Sequence, residues 1–502
     1  MASAGRVRAS LGIEVGRLRT TGVLLAGDGR ELARSVAEHP PLQPRGTQCE
    51  QDPAVLWAAL QQVVARLKAS VEVDLVGLGL TGEAGGLVFL DRVGAPVRPA
   101  ILGADRRAVE EAREIGRRLA EAGLAGGLGR RLGACSPAAK ILWLAANEPE
   151  TAQRVATVLA PKDHLSWRLT GERATDASEA SATGLLDLGT RRWSGPLLEA
   201  LGLSADLLPE VFECADVTGR VSVAGAAETG LPEGLPVVAG GTALACGALA
   251  AGLIGEGAGL AWLEPGAGLV VRAAEPPGEA DEAVELLCEA TGAWHLAVAL
   301  PLAASPLVWL ARELAPEWAS AARAAGLEPE AALLGEAANV PPGSGGLLFL
   351  PALEGTAGQP TTVGAWIGLR PGLGRAELAR SVLEGLGAAL AERAARLRRP
   401  ALLREPVRLV GRAATDASWR ELLAAQLGVP IAPFGSHLDP ARGAAMLAGI
   451  GVGLWADPAE AVARAVPPPG PTVPVDPLLQ RLYRTQEVRR ARAAALLAAL
   501  EE

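Results

Sequence analysis

Aromatic residues are scarce: they make up 3% of 502 residues, with one tyrosine and four phenylalanines. The core must therefore be packed from aliphatic side chains and from close backbone approach at the 61 glycines. Cysteine is also sparse. Cys49, Cys135, Cys214, Cys246 and Cys288 lie far apart, with no CxxC or Cys/His spacing. That excludes a disulfide framework or zinc motif and reads as buried free thiols in a reducing compartment. No basic excess exists: 47 Lys and Arg stand against 56 Asp and Glu, a formal charge of -9. Such a chain carries no electrostatic footprint for nucleic acid. No run approaches the roughly 20 uncharged apolar residues of a membrane helix. The opening MASAGRVRAS is not followed by a signal-type apolar region. These absences lead to the expectation of a cytoplasmic protein with neither nucleic-acid nor membrane partners.

The most informative stretch is Leu235 to Gly252. Pro236-Val-Val-Ala reads as a buried strand, Gly240-Gly241 as a tight turn, and the small apolar run from Thr242 as a helix. In an α/β protein such a turn is where a phosphate or catalytic group sits. Here it carries Thr242, Ala243 and Leu244, with no acid, base or metal ligand. Upstream, strands are expected over Arg8–Gly16, Thr20–Ala26 and Glu31–Glu38, with Gly27-Asp28-Gly29 as a hairpin turn. Asp52 to Ala69 reads as a helix with Leu56, Leu60, Val63, Val64 and Leu67 on one face, then Val73 to Leu80 as a strand. Hairpins, helices and a glycine-ended strand recur after Gly252, with helices over Leu302–Leu314 and Ala376–Leu397 and a strand over Val407–Val410. Two α/β domains facing one cleft account for this order.

Several stretches resemble the FGGY family of carbohydrate kinases, most of all its xylulokinases. Glu50-Gln-Asp-Pro53 resembles the family's EQDP motif, and Pro99-Ala-Ile-Leu102 with Asp105-Arg106 resembles PAILWND-R. PKDHLSWRLTG and ATDASEASATGLLD, within Leu159 to Asp187, are similar nearly residue for residue. Gly345 to Leu350, Leu383-Glu-Gly385 and Gly443 to Gly451 complete a likeness running from Leu11 to Gly453. It implies two actin-like, ribonuclease-H-like domains around a central cleft. The expected limits are 1–240 for sugar binding, 241–465 for nucleotide binding, and 466–502 for a proline-rich segment and terminal helix.

The same resemblance implies phosphoryl transfer from ATP to a sugar hydroxyl, which needs phosphate-binding loops and a carboxylate base. Five places depart from the family's pattern. The first phosphate loop, Asp-x-Gly-Thr/Ser, is here Glu14-Val15-Gly16-Arg17. Glu14 is a weak metal candidate, and Arg17 also reads as a plain surface charge. The sugar loop, Gly-Gln-Met-His-Gly, is Gly82-Glu83-Ala84-Gly85-Gly86. The base of Gly-Gly-Gly-Asp-Asn falls at Ala243, after Gly241. The second phosphate loop, Leu-Gly-Thr-Ser-Gly, is Leu263-Glu264-Pro265-Gly266. The adenosine loop, Gly-Gly-Gly-Ala, is Gly411-Arg412-Ala413-Ala414. Glu83, Gly85, Asp105 and Arg106 are the substrate-binding candidates.

A kinase homologue with an impaired or inactive site follows. The alternative is an active pentulose kinase that uses other residues, such as Glu14 or Asp105, for the proton. ATP and Mg²⁺ are the cofactors of the active alternative; none is needed by the inactive one. A small sugar and a second copy of the chain, as a homodimer, are the expected partners. His164 and His295 read as structural, and Asp176 to Glu179 as the capped start of a short helix.

Overall fold

The structure is a computed structural model. It describes the chain except residues 1–5, 43–44, 125–131, 264–265, 277–283, 301–305, 352–363, 398–402, 436 and 500–502. Two compact units are present. The first comprises residues 1–255, 272–295 and 439–467, the second 256–271, 296–438 and 468–502.

The first unit is built on strands β1 (Val7–Val15), β2 (Arg19–Ala26), β3 (Glu31–Glu38), β4 (Val73–Gly82), β5 (Val217–Arg220) and β6 (Pro236–Thr242). Their order is β5-β6-β4-β1-β2-β3. β1, β2 and β3 form the expected antiparallel meander, while β4 runs parallel to β1 and β6 parallel to β4. Gly29, at φ +88°, turns the hairpin between β2 and β3 where a side chain would be strained. The helix Pro53–Ser70 starts where Asp52 accepts from the Ala54 N–H and Pro53 occupies the first turn. Its Leu56, Leu60, Val63, Val64 and Leu67 pack on Leu11, Ile13, Leu78 and Leu80 of the sheet.

The opposite face is covered by the helix Pro440–Gly451, and here the glycine content has its use. A Cβ on Gly12 would lie 1.9 Å from the Ala441 carbonyl oxygen, and one on Gly443 1.9 Å from that of Cys246. Backbones meet where larger residues would hold them apart, so a core poor in aromatics still packs densely.

In the second unit, strands β7 (Gly259–Leu263), β8 (Ala267–Ala273), β9 (Trp294–Leu300), β10 (Val407–Gly411) and β11 (Ile431–Gly435) lie in the order β9-β8-β7-β10-β11 within a six-stranded sheet. β7 and β8 make a hairpin and β10 runs parallel to β7, repeating the first unit's plan. The helix expected over Leu302–Leu314 is described only from Pro306. The terminal helix Pro477–Ala498 joins this unit through Tyr483, whose hydroxyl lies 3.2 Å from both Glu384 and Arg380. Four of the five cysteines are buried and all are free. Among the described residues, no helix is long and apolar enough to cross a membrane.

Candidate functional site

Three parallel strands of the first unit end together. Val15 pairs with Gly82, and Gly82 with Thr242, so the chain leaves β1, β4 and β6 at Gly16, Glu83 and Ala243 along one edge. The carboxyl ends of parallel strands are where open α/β sheets place their ligands. At β1 the Gly16 N–H bonds the Arg19 carbonyl, closing a turn that carries Arg17 outward. The Arg17 guanidinium lies 3.3 Å from the Glu83 carboxylate, with both side chains about two-fifths exposed. Glu14 sits one row inside. Burial, reinforced by nearby Asp439, pushes its carboxyl up to about 7. Asp439 is itself paired with Arg34 and Arg442.

The loop Gly82–Gly86 is gripped from below. The Lys140 ammonium donates to the carbonyls of Gly85 and Leu102, both at 2.7 Å. Burial lowers this lysine to about 8. The Gly85 N–H donates to Glu179 Oε1 at 3.3 Å, while the other Glu179 oxygen has no partner among the described residues. Burial raises Glu179 to about 8 against the pull of Lys162. Gly85 itself, at φ +82°, presents only backbone where a histidine was the family expectation.

Asp105 is fully buried. It accepts from the Cys49 N–H at 2.6 Å and from the Arg107 guanidinium at 2.9 and 2.7 Å. Burial works to raise its carboxyl, yet Arg107 holds it below the ordinary range. Arg107 also pairs with Glu50 at 2.7 Å and lies over Trp143. The sequence singled out Asp105 and Arg106 as substrate candidates; the residue that pairs with Asp105 is Arg107, whose guanidinium reaches two carboxylates at once.

At the third strand end, Thr242 caps the helix Ala243–Ala250 by accepting from the Ala245 N–H at 3.2 Å. The Thr242 N–H donates to Ser178 Oγ at 2.9 Å, and Ser178 donates in turn to Asp176. Gly240-Gly241 does not form the expected turn; both glycines lie inside β6. The reason is steric: at Gly240, φ +78°, a Cβ would fall 1.9 Å from the Leu80 carbonyl oxygen, so the strand passes its neighbour only as glycine. Beneath lies a charge cluster that sequence reasoning missed. Lys162, fully buried, pairs with Asp163 and, at 2.6 Å, with Asp176, and donates to the Ala239 carbonyl. The available signal was rarity: the chain has only Lys68, Lys140 and Lys162, and the last two are buried.

Comparison with known proteins bears on this geometry directly. The N-terminal domain of the FGGY family of carbohydrate kinases matches residues 9–250, and the C-terminal domain of that family matches residues 277–452. The chain belongs to the FGGY family. Xylulose kinase of Klebsiella pneumoniae is 34% identical over 455 residues, covering 89% of this chain and 91% of the relative. Xylulose kinase of Bacillus subtilis is 29% identical over 89% of this chain and 88% of the relative. Among solved structures, xylulose kinase from Rhodospirillum rubrum superposes with a TM-score of 0.88 at 27% identity, over 98% of this chain and 100% of its own. Plasmodium falciparum glycerol kinase with ADP superposes at 0.83 and 18% identity, over 98% and 99%, which speaks for the fold alone. The fold is thus the two-domain, actin-like FGGY architecture.

The remaining FGGY positions lie in the second unit. Glu264 and Pro265 fall outside the described residues. Gly266 has φ +72°, with Trp262 the nearest neighbour to a Cβ there. Gly411, at φ +96°, ends β10, and Arg412 opens a short helix to Thr415. Ala414 is buried, and its carbonyl accepts from Arg420 at 2.8 Å. Both histidines read as structural are buried: His164 stacks against Trp167, and burial lowers each to about 4. Asp176 accepts from the Ser178 and Glu179 N–H groups, as a cap should.

Proposed function

We propose that this FGGY member holds a pentulose-sized polyol in its first unit and transfers phosphoryl groups poorly or not at all. The observation that carries the reading is Ala243. It opens the helix at the end of β6, at the position resembling the family's base, and a methyl group accepts no proton. Of the acids nearest in the fold, Asp176 is committed to Ser178 and Lys162, and Glu179 holds the Gly85 N–H with one oxygen while burial raises its carboxyl to about 8. A positioned base contributes about 10²- to 10⁴-fold. The kept part of the site supports binding: the exposed Glu83 carboxylate offers an acceptor to a hydroxyl group, and the buried Asp105–Arg107 pair beneath holds the loop around it.

ATP with Mg²⁺ is the cofactor pair this family implies; at the first strand end Glu14 would face the metal and Arg17 a phosphate, while Ala243 leaves the transfer without its base. Arg17 holds Glu83 by one exposed contact of 3.3 Å, so a phosphate would compete with Glu83 for it.

A second reading, an active pentulose kinase, has support of its own. Relatives named xylulose kinases cover most of the chain, and a carboxyl near 7 at Glu14 suits a proton acceptor at neutral pH. Glu14 and Gly241 both pair with Thr81, so two strand spacings, roughly 10 Å, separate Glu14 from the β6 edge. A coupled assay with ATP–Mg²⁺ and D-xylulose decides between the two. Turnover in the ordinary kinase range, about 1–100 s⁻¹, favours the second reading and overturns the first.

A further inference from the structure

We propose that Arg17 and Glu83 form a latch at the polyol site, and that the ligand which opens it is a polyol carrying a terminal anion, a carboxylate or a phosphate. The inference rests on the polyol-binding reading above and extends it to ligand charge. Glu83 follows directly on the last rung of two paired strands, Val15 with Gly82, and Arg17 comes one residue later on its side, after Gly16, so the register brings them together. Their contact is one long interaction of 3.3 Å between side chains about two-fifths exposed. A guanidinium has five N–H donors, so most of Arg17's capacity faces outward.

Its backbone, by contrast, is fixed. The turn is closed by Gly16 to Arg19, and the Arg17 carbonyl lies 3.4 Å from Nδ1 of buried His39, whose other ring nitrogen is 2.9 Å from Thr20 Oγ1. A cation with a held base and a loosely held head is built to exchange partners. The neighbouring cations are committed more firmly: Arg107 to Asp105 and Glu50, and Lys140 to the Gly85 and Leu102 carbonyls. An incoming anion therefore has Arg17 to meet. It displaces Glu83, whose carboxylate then serves a hydroxyl group of the same ligand.

Calorimetric titration of the full chain tests this with three probes: D-xylulose, D-xylulose 5-phosphate and the five-carbon acid D-xylonate. At least one anionic probe should bind about tenfold or more tightly than neutral xylulose, the scale of one charge-assisted hydrogen bond. The stronger anion identifies the source, carboxylate or phosphate. Arg17→Ser should erase the preference and Arg17→Lys keep part of it, since a lysine retains the charge without the planar fork. Glu83→Gln should tighten the anion by removing its competitor, and 0.5 M NaCl should weaken it. Both residues are exposed, so the variants should fold, which circular dichroism checks. Equal or tighter binding of neutral xylulose, a preference that survives Arg17→Ser, or no anion binding at millimolar concentration each overturns the latch. The turnover assay is independent of this ratio, so failure of the impaired-kinase reading and failure of the latch are told apart.

Discussion

Two corners of the first unit, one at Asp105 and one at Arg17, hold the same kind of ion pair in opposite circumstances. Asp105 and Arg107 are almost wholly buried, share two guanidinium contacts, and are flanked by Glu50, Trp143 and the Cys49 N–H. Arg17 and Glu83 share one contact in the open. The first corner keeps the family's acid; the second has replaced the family's residues at both ends. The difference teaches that a pair locked by burial and shared contacts is fixed in place, whereas a pair held by one exposed contact is free to exchange partners.

The sharpest way to break the comparison is to remove one acid from each corner. Asp105→Ala leaves Arg107 buried beside Glu50 alone. Breaking a buried pair costs about 3–5 kcal/mol. Glu83→Ala removes an exposed partner and should cost under about 1 kcal/mol. Urea unfolding of the two variants measures both. Equal losses would show that burial does not separate the corners.

Next in size is the chemistry. Sugar-dependent ATP turnover should be absent, or at least about 10²-fold below that of an intact family member. Ala243→Asp alone should not restore it, because the phosphate loops stay unsuited. Ala243→Asp with Glu264→Gly and Pro265→Thr is the fair rescue, read by the same coupled assay; Gly85, at φ +82°, is left as glycine. Recovery by the single substitution would show that only the base is missing.

A third test uses pH. Glu179 and Glu14 have folded carboxyls raised to about 8 and about 7, burial being the main cause in each. The unfolded chain loses these protons near 4.5, so between about 4.5 and 7 it binds fewer than the folded one. Stability therefore falls as pH rises through that window and, for Glu179, on to about 8. The slope approaches about 1.4 kcal/mol per pH unit for each group. Glu179→Gln should flatten it, and an unchanged slope in that variant would assign the titration elsewhere. Asp105 works the other way: its lowered carboxyl adds stability above about pH 4 that is lost only in stronger acid.

Much of the fold was legible because local rules agreed with the tertiary structure. The meander, the Asp52-capped helix and the strand from Val73 follow from period, cap and turn residues, and the structure differs only in end residues. Gly240 was misread because a glycine that permits close strand passage and one that permits a turn look alike in sequence. The role of Arg107 was not legible because sequence does not say which guanidinium reaches two carboxylates. The pair of Arg17 with Glu83 lies 66 residues apart and depends on the register of β1 against β4, which no local pattern carries.

The smallest expected effect concerns that pair. A double-mutant cycle with Arg17→Ser, Glu83→Gln and both should give a coupling of about 0.2–1 kcal/mol in unfolding free energy, the range of exposed pairs. In ligand binding the cycle should behave differently. If Glu83 competes with an anionic ligand for Arg17, Glu83→Gln strengthens binding while Arg17→Ser weakens it, and Glu83→Gln has little left to do once Arg17 is gone. Coupling in anion affinity should therefore exceed coupling in stability. Were the two equal, the pair would be an ordinary surface ion pair, and the exposed corner would differ from the Asp105 corner in burial alone.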